Sequence, residues 1–60
     1  MINLEDACQQ AGALVDPLVR LCKRHGYDPL DVIRDEFDGR VDFTEEQKIK
    51  FADDLKKKVR

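Results

Sequence analysis

Apolar side chains recur every three or four residues along the first part of the chain. The series is Leu4, Ala7, Ala11, Leu14, Leu18 and Leu21, and it continues to His25. This spacing is typical of one face of an α-helix, and the alternation of three and four forms a heptad seam. The pattern therefore predicts helix over residues 3–25, with one continuous apolar face.

Pro17 lies inside that pattern. A proline within a helix removes one hydrogen bond, and its ring crowds the carbonyl of the residue four positions earlier, here Ala13. Because the seam keeps its phase across Pro17, we favour one helix over residues 3–25, kinked at Pro17 and eased by Gly12. The alternative is two helices that meet at Asp16, which would cap the second helix with Pro17 as its first residue.

Start and stop signals indicate two further helices. Gly26 follows three basic residues, which is typical of a helix C-terminus. Asp28 and Pro29 then begin a helix whose apolar stripe is Leu30, Ile33 and Phe37. The pair Asp38 and Gly39 indicates a turn, and residues 40–43 are predicted to be extended.

Thr44 and Gln47 have the spacing of a capping box, which predicts a last helix over residues 45–59. Its inner face carries Phe51, Ala52, Leu55 and Val59. No alternating pattern long enough for a β-strand is present. We therefore predict an all-α class, with three or four helices in a single domain over residues 1–60.

The chain of 60 residues is short for an independent core. A domain of this size buries only about 60% of its unfolded surface, and oligomerisation is one common compensation. We therefore predict a homodimer in which the seam is also the self-association surface. The predicted self-association residues are Leu4, Ala7, Ala11, Leu14, Leu18 and Leu21.

Charge is distributed unevenly along the chain. Residues 28–46 contain eight carboxylates against two arginines, a net charge of −6, whereas residues 47–60 contain six bases against two acids, a net charge of +4. Such an acidic segment repels nucleic acid and favours a basic protein surface as the partner. The predicted partner-binding residues are Asp31, Asp35, Glu36, Asp38, Asp42 and Glu45.

Two features would suit nucleic acid, and both are weak. The basic C-terminal end consists of Lys56, Lys57, Lys58 and Arg60. Asp53 and Asp54 precede it by one turn, and no aromatic side chain is interleaved for base stacking. Residues 18–37 have the layout of a helix-turn-helix, but the second helix would press four acids and one arginine against the phosphates. Nucleic acid is therefore not the expected partner.

Residues 34–45 resemble the calcium loop of the EF-hand family. Counted from Arg34 as the first position, Glu36 is third, Asp38 fifth, Gly39 sixth, Val41 eighth, Asp42 ninth and Glu45 twelfth. The resemblance covers these twelve residues only, and it implies a calcium site between two helices. Arg34 departs from the family pattern, because a fixed cation stands where the family has an aspartate ligand.

The sequence shows no catalytic, cofactor-binding or metal-binding constellation. Cys8 and Cys22 lack a Cys-x-x-Cys spacing and are expected to be reduced thiols within the cell. Lys23 and His25 lie near Cys22 in sequence and give slight support for an activated thiol there. His25 itself is expected to cap or pack at a helix end. The chain begins with Met and has neither a secretion leader nor a membrane-spanning stretch, so we expect a complete cytoplasmic protein. Because no catalytic constellation is found, we also expect that it is not an enzyme.

These observations favour a non-catalytic protein–protein interaction module with an acidic face. A small charge-polarised helical protein suits an inhibitor or adaptor, such as an accessory protein of a phage or mobile element that acts on a host protein. The alternative is a nucleic-acid-linked regulator, such as an antitoxin or repressor, that uses the basic C-terminal end. The degenerate calcium loop is a third alternative.

Overall fold

A computed structural model describes residues 2–38 and 43–60 of the chain. Within these ranges the chain forms four α-helices and no strand: α1 Leu4–Ala11, α2 Val15–His25, α3 Pro29–Phe37 and α4 Glu45–Val59. The all-α class is therefore confirmed for the described residues, and four helices are formed. Gly39 of the predicted turn and most of the predicted extended segment lie outside the described residues.

The first segment is two helices, and they separate at Gly12. Gly12 adopts the left-handed conformation, with φ 71° and ψ 27°. Its N–H donates to the carbonyl of Gln9 at 3.2 Å, and the N–H of Ala13 donates to the carbonyl of Cys8 at 2.8 Å. These two bonds form a Schellman motif, which closes a helix C-terminus. The prediction of one kinked helix over residues 3–25 was therefore wrong.

Pro17 does not cause the break, and the second helix does not start at Asp16. Pro17 is the third residue of α2. The first four N–H groups of a helix have no acceptor within the helix, so a proline there removes no hydrogen bond. Val15 is the first residue of α2, and the N-cap residue before it is Leu14, which is 73% exposed. The seam kept its phase across a three-residue gap, although no continuous helix connects its two halves.

One hydrophobic core draws side chains from all four helices. Its buried members are Leu4, Ala7, Cys8, Leu18, Cys22, Val32, Ile33, Phe37, Phe51, Ala52 and Leu55. Three members of the predicted seam, Leu4, Ala7 and Leu18, are therefore covered by the chain itself. Ala11 and Leu21 are half-buried, and Leu14 is exposed. Of the six seam residues, only these last three could contact a second copy without opening the core.

Three phenylalanines form the contact between α3 and α4. The ring of Phe37 meets that of Phe43 at a centroid distance of 5.3 Å and that of Phe51 at 5.9 Å. Phe43 and Phe51 are 5.0 Å apart. All three pairs have the edge-to-face geometry that aromatic rings prefer. This aromatic cluster packs Phe37, the last residue of α3, against Phe51 within α4 and against Phe43, which precedes the N-cap of α4.

The helix ends bear out most of the capping signals in the sequence. The carboxylate of Asp28 accepts from the N–H of Leu30 at 2.9 Å, and Pro29 is the first residue of α3. Thr44 and Gln47 form the predicted capping box, with bonds of 2.8 and 3.2 Å. Gly26 takes the left-handed conformation after α2. These caps fix where the described helices begin and end.

Leu14→Asp is expected to stabilise the protein, whereas Leu18→Asp is expected to unfold it. Leu14 occupies the N-cap position of α2 and supplies no side-chain hydrogen bond. An aspartate there can accept from the first-turn N–H groups, which stabilises a helix by about 1 kcal/mol. Leu18 is only 2% exposed, and an unpaired buried charge costs several kcal/mol. That cost is comparable with the roughly 3–9 kcal/mol that a chain of this length has in total.

Urea denaturation followed by circular dichroism measures both effects, with light scattering to give the mass of each variant. A Leu14→Asp protein that loses stability and has half the mass of a dimeric wild type would show that the seam, including Leu14, is buried against a second copy.

Gly12→Ala is expected to destabilise the protein by about 1–2 kcal/mol, because a Cβ in the left-handed conformation meets the following carbonyl oxygen. The free volume around Gly12 does not oppose the change, since an added Cβ would have no neighbour within 4 Å. Thermal unfolding measures the loss, and Gln10→Ala on the exposed side of α1 is the control. An unchanged melting temperature for Gly12→Ala would mean that α1 does not end at Gly12.

Candidate functional site

Carboxylates form a stripe along one side of α3. Asp28 caps the helix, and Asp31 and Asp35 follow at intervals of three and four residues. Residues at these intervals are neighbours on a helix surface. The opposite side of α3 carries the buried Ile33 and Phe37. Packing of that apolar side therefore directs the carboxylate stripe outward.

A groove runs between this stripe and the end of α2. It has a volume of about 260 Å³, and its lining residues are Leu21, Tyr27, Asp28, Asp31, Val32, Asp35 and Glu36. We call it the acidic groove. Four of its seven lining residues carry carboxylates, and the other three are apolar or aromatic. It therefore combines negative charge with an apolar surface.

The apolar part of the groove is partly open to solvent. Val32 is buried and Leu21 is half-buried. Tyr27 is 54% exposed, and its ring stacks on that of His25 at a centroid distance of 5.4 Å. An exposed tyrosine held by a stacked neighbour offers contact area at little cost in conformational entropy.

The carboxylates of the groove differ in what holds them. Asp28 accepts the capping hydrogen bond from Leu30, and Glu36 is half-buried. Asp31 and Asp35 are exposed, and neither carboxylate has a hydrogen bond or ion pair among the described residues, although the charge of Asp31 contributes to raising the pKa of Arg34. These two are therefore the carboxylates most available to a partner.

The negative charge around the groove also affects the buried thiols. Burial raises the pKa of Cys22, and Asp28 raises it further. The pKa of Cys8 is raised by burial first and then by Glu36 and Glu5. Both cysteines are free and buried. The slight support that Lys23 and His25 gave for an activated Cys22 thiol is therefore not confirmed, since a reactive thiol needs a lowered pKa.

The predicted partner-binding residues do not all lie together. Asp31, Asp35 and Glu36 line the acidic groove. Asp38 is exposed just beyond the end of α3, Glu45 is engaged by Arg34, and Asp42 lies outside the described residues. The prediction thus included three residues of the groove and missed Leu21, Tyr27, Asp28 and Val32. A sequence signal was available for Val32, which shares one side of α3 with Glu36, whereas the position of Leu21 and Tyr27 beside α3 depends on the packing of two helices.

Arg34 and Glu45 form an ion pair that joins α3 to α4. The Nε of Arg34 donates to the Oε1 of Glu45 at 3.1 Å, and a terminal guanidinium nitrogen contacts the same oxygen. This hydrogen bond is the main cause that lowers the pKa of Glu45. In the calcium-loop resemblance these are the first and twelfth positions, so a guanidinium occupies the carboxylate that would bind the ion. No group of three metal-ligating side chains is found in the described part of the chain.

The basic C-terminal end is partly neutralised within the molecule. The Nζ of Lys58 donates to Glu5 at 2.9 Å, which joins the last turn of α4 to the first turn of α1. Glu5 also raises the pKa of Lys58. Lys56 and Lys57 remain exposed. The end of α4 therefore has a structural role besides its charge.

Comparison with protein-family models, with curated proteins and with solved structures finds no match to this chain. Among residues 2–38 and 43–60, no helix has the length and apolar character needed to cross a membrane.

Glu45→Gln is expected to lower the melting temperature at pH 7 and to have no effect in acid. Because Arg34 lowers the pKa of Glu45 in the folded state, the ion pair stabilises the fold fully above the unfolded pKa of about 4.3. That stabilisation is lost as the pH falls through the folded value. Glu46→Gln is the matched control, since Glu46 shares the first turn of α4. Equal losses for the two variants at pH 7 would assign the effect to the helix dipole alone.

Proposed function

We propose that this protein is a non-catalytic protein–protein interaction module whose acidic groove takes a basic segment of a partner protein. One observation carries the proposal: the exposed carboxylates of Asp31 and Asp35 stand beside an apolar surface that includes the half-exposed ring of Tyr27. Charge and apolar area in one groove suit recognition of a protein better than either property alone.

The chemistry of the groove specifies the partner segment. Lysine or arginine side chains would pair with Asp31 and Asp35, and an apolar side chain would pack on Leu21 and Tyr27. Tyrosine is enriched among the residues that contribute most to protein interfaces. The net negative charge of the surface would also speed the encounter with a basic partner. The expected partner segment is therefore amphipathic and basic.

An inhibitor or adaptor that acts in the cytoplasm is the role that this proposal favours. Such a role needs a rigid surface and no reactive side chain. The cysteines and the histidine, which are the side chains best suited to react, are consistent with it. The thiols of Cys8 and Cys22 are buried with raised pKa values, and His25 is stacked on Tyr27. An accessory protein of a phage or mobile element that binds a host protein would fit this description.

The alternative proposal is a nucleic-acid-linked regulator that uses the end of α4. The exposed Lys56, Lys57 and Arg60 support it. The pairing of Lys58 with Glu5 reduces the charge available to phosphates, and the acidic groove repels them. Protein recognition is therefore the function that the geometry favours.

Charge reversal in the groove is expected to abolish capture of the partner. Asp31→Lys with Asp35→Lys replaces two attractive charges by two repulsive ones, so recovery of a partner by crosslinking and mass spectrometry should fall at least about tenfold. Capture by the wild type should also weaken with salt, because the Debye length shrinks from about 10 Å at 0.1 M to about 3 Å at 1 M.

The control is Glu46→Lys with Asp53→Lys, which changes the net charge by the same amount on exposed positions of α4. This control should retain the partner, and Tyr27→Ala should weaken capture without changing its salt dependence. If the groove variant retains a partner that the α4 control loses, the acidic groove is not the binding site.

A further inference from the structure

A second charged surface lies on α2, beside the acidic groove. Arg20, Lys23 and Arg24 are exposed and line a shallow depression of about 460 Å³. We call these three residues the basic face. Their intervals of three and four residues place them on one side of the helix. Residues 1–27 carry three acids and three bases and so have no net charge. A net charge summed over that segment therefore does not reveal this local concentration of cations.

The basic face and the acidic groove have matching spacings. Arg20 and Arg24 are four residues apart on α2, and Asp31 and Asp35 are four residues apart on α3. A rise of about 1.5 Å per residue separates the members of each pair by about 6 Å along the helix axis. Two arginines of one helix could thus meet two carboxylates of another, antiparallel helix in register.

The two surfaces adjoin within one molecule. Leu21 lines the acidic groove, and it is three residues from Arg24 of the basic face on α2, an interval that makes them neighbours on the helix surface. A two-fold axis near Leu21 would bring the basic face of each copy onto the acidic groove of the other. Such an interface is self-complementary, since residue i contacts residue j and residue j contacts residue i. Its centre would bury Leu21 and Tyr27, which are partly exposed in the single chain.

We propose that the acidic groove of one chain binds the basic face of a second copy, in a reciprocal two-fold dimer. The inference rests on the proposed function, because it assigns one particular basic partner to the same groove. A standard interface buries about 800 Å² per partner, which is roughly a fifth of the 4272 Å² surface of this chain. A two-fold interface of standard size would therefore cover about a fifth of the surface of each copy.

Sedimentation equilibrium of charge-swapped variants tests the dimer. The wild type should approach twice its mass of 7.0 kDa at submillimolar concentration in low salt, and about 1 M salt should dissociate it. Arg20→Glu with Arg24→Glu should be monomeric, and so should Asp31→Lys with Asp35→Lys. An equimolar mixture of the two variants should recover the dimer, because both halves of the mixed interface are again attractive.

Circular dichroism first checks that both double variants are folded, and Arg24→Glu and Asp35→Lys as single changes repeat the test with less perturbation. A wild type that stays monomeric to millimolar concentration overturns the dimer, as does a mixture that fails to associate. If the wild type is monomeric and binds a random-sequence DNA duplex, and if Arg20→Glu with Arg24→Glu abolishes that binding, the basic face would be assigned to phosphates instead. Capture of a foreign partner that still depends on Asp31 and Asp35 would, in either case, leave the proposed function standing.

Discussion

The contact of Phe37, Phe43 and Phe51 is the interaction on which the surface features of this protein depend. It holds α3 on α4 through edge-to-face contacts between side chains that are largely removed from water. Because Ile33 and Phe37 lie on the inner side of α3, fixing them also fixes the outward direction of Asp31 and Asp35. The acidic groove is therefore a consequence of aromatic packing on the other side of the same helix.

A chain this short has few apolar side chains from which to build a core, and polar side chains are kept out of it. The core contains no buried polar or charged side chain among the described residues, so none of its volume needs a compensating hydrogen bond. Charged groups instead join helices at the surface, where Arg34 meets Glu45 and Lys58 meets Glu5. Exposed pairs of this kind add little stability, so the packing of the apolar side chains determines how the helices are placed.

The helix start signals were readable because they act over a few residues. Asp28 with Pro29, and Thr44 with Gln47, form hydrogen bonds within one turn. The sequence did not reveal the break at Gly12, because the apolar period continues through it by coincidence. Pro17 lies nearby and was the more obvious place for a kink or break in the helix. The groove was only half predicted, since Leu21 and Tyr27 join Asp31 and Asp35 through the packing of two helices. No pattern within a single helix encodes that contact.

The two cysteines can report how often individual helices leave the core. Cys8 lies in α1 and Cys22 in α2, and both side chains are buried in the core. A thiol reacts with an alkylating reagent as the thiolate and only where the reagent can reach it. Raised pKa values and burial therefore make both sulfurs slow to react while their helices are in place. The alkylation rate of each sulfur measures how often its own helix leaves the core.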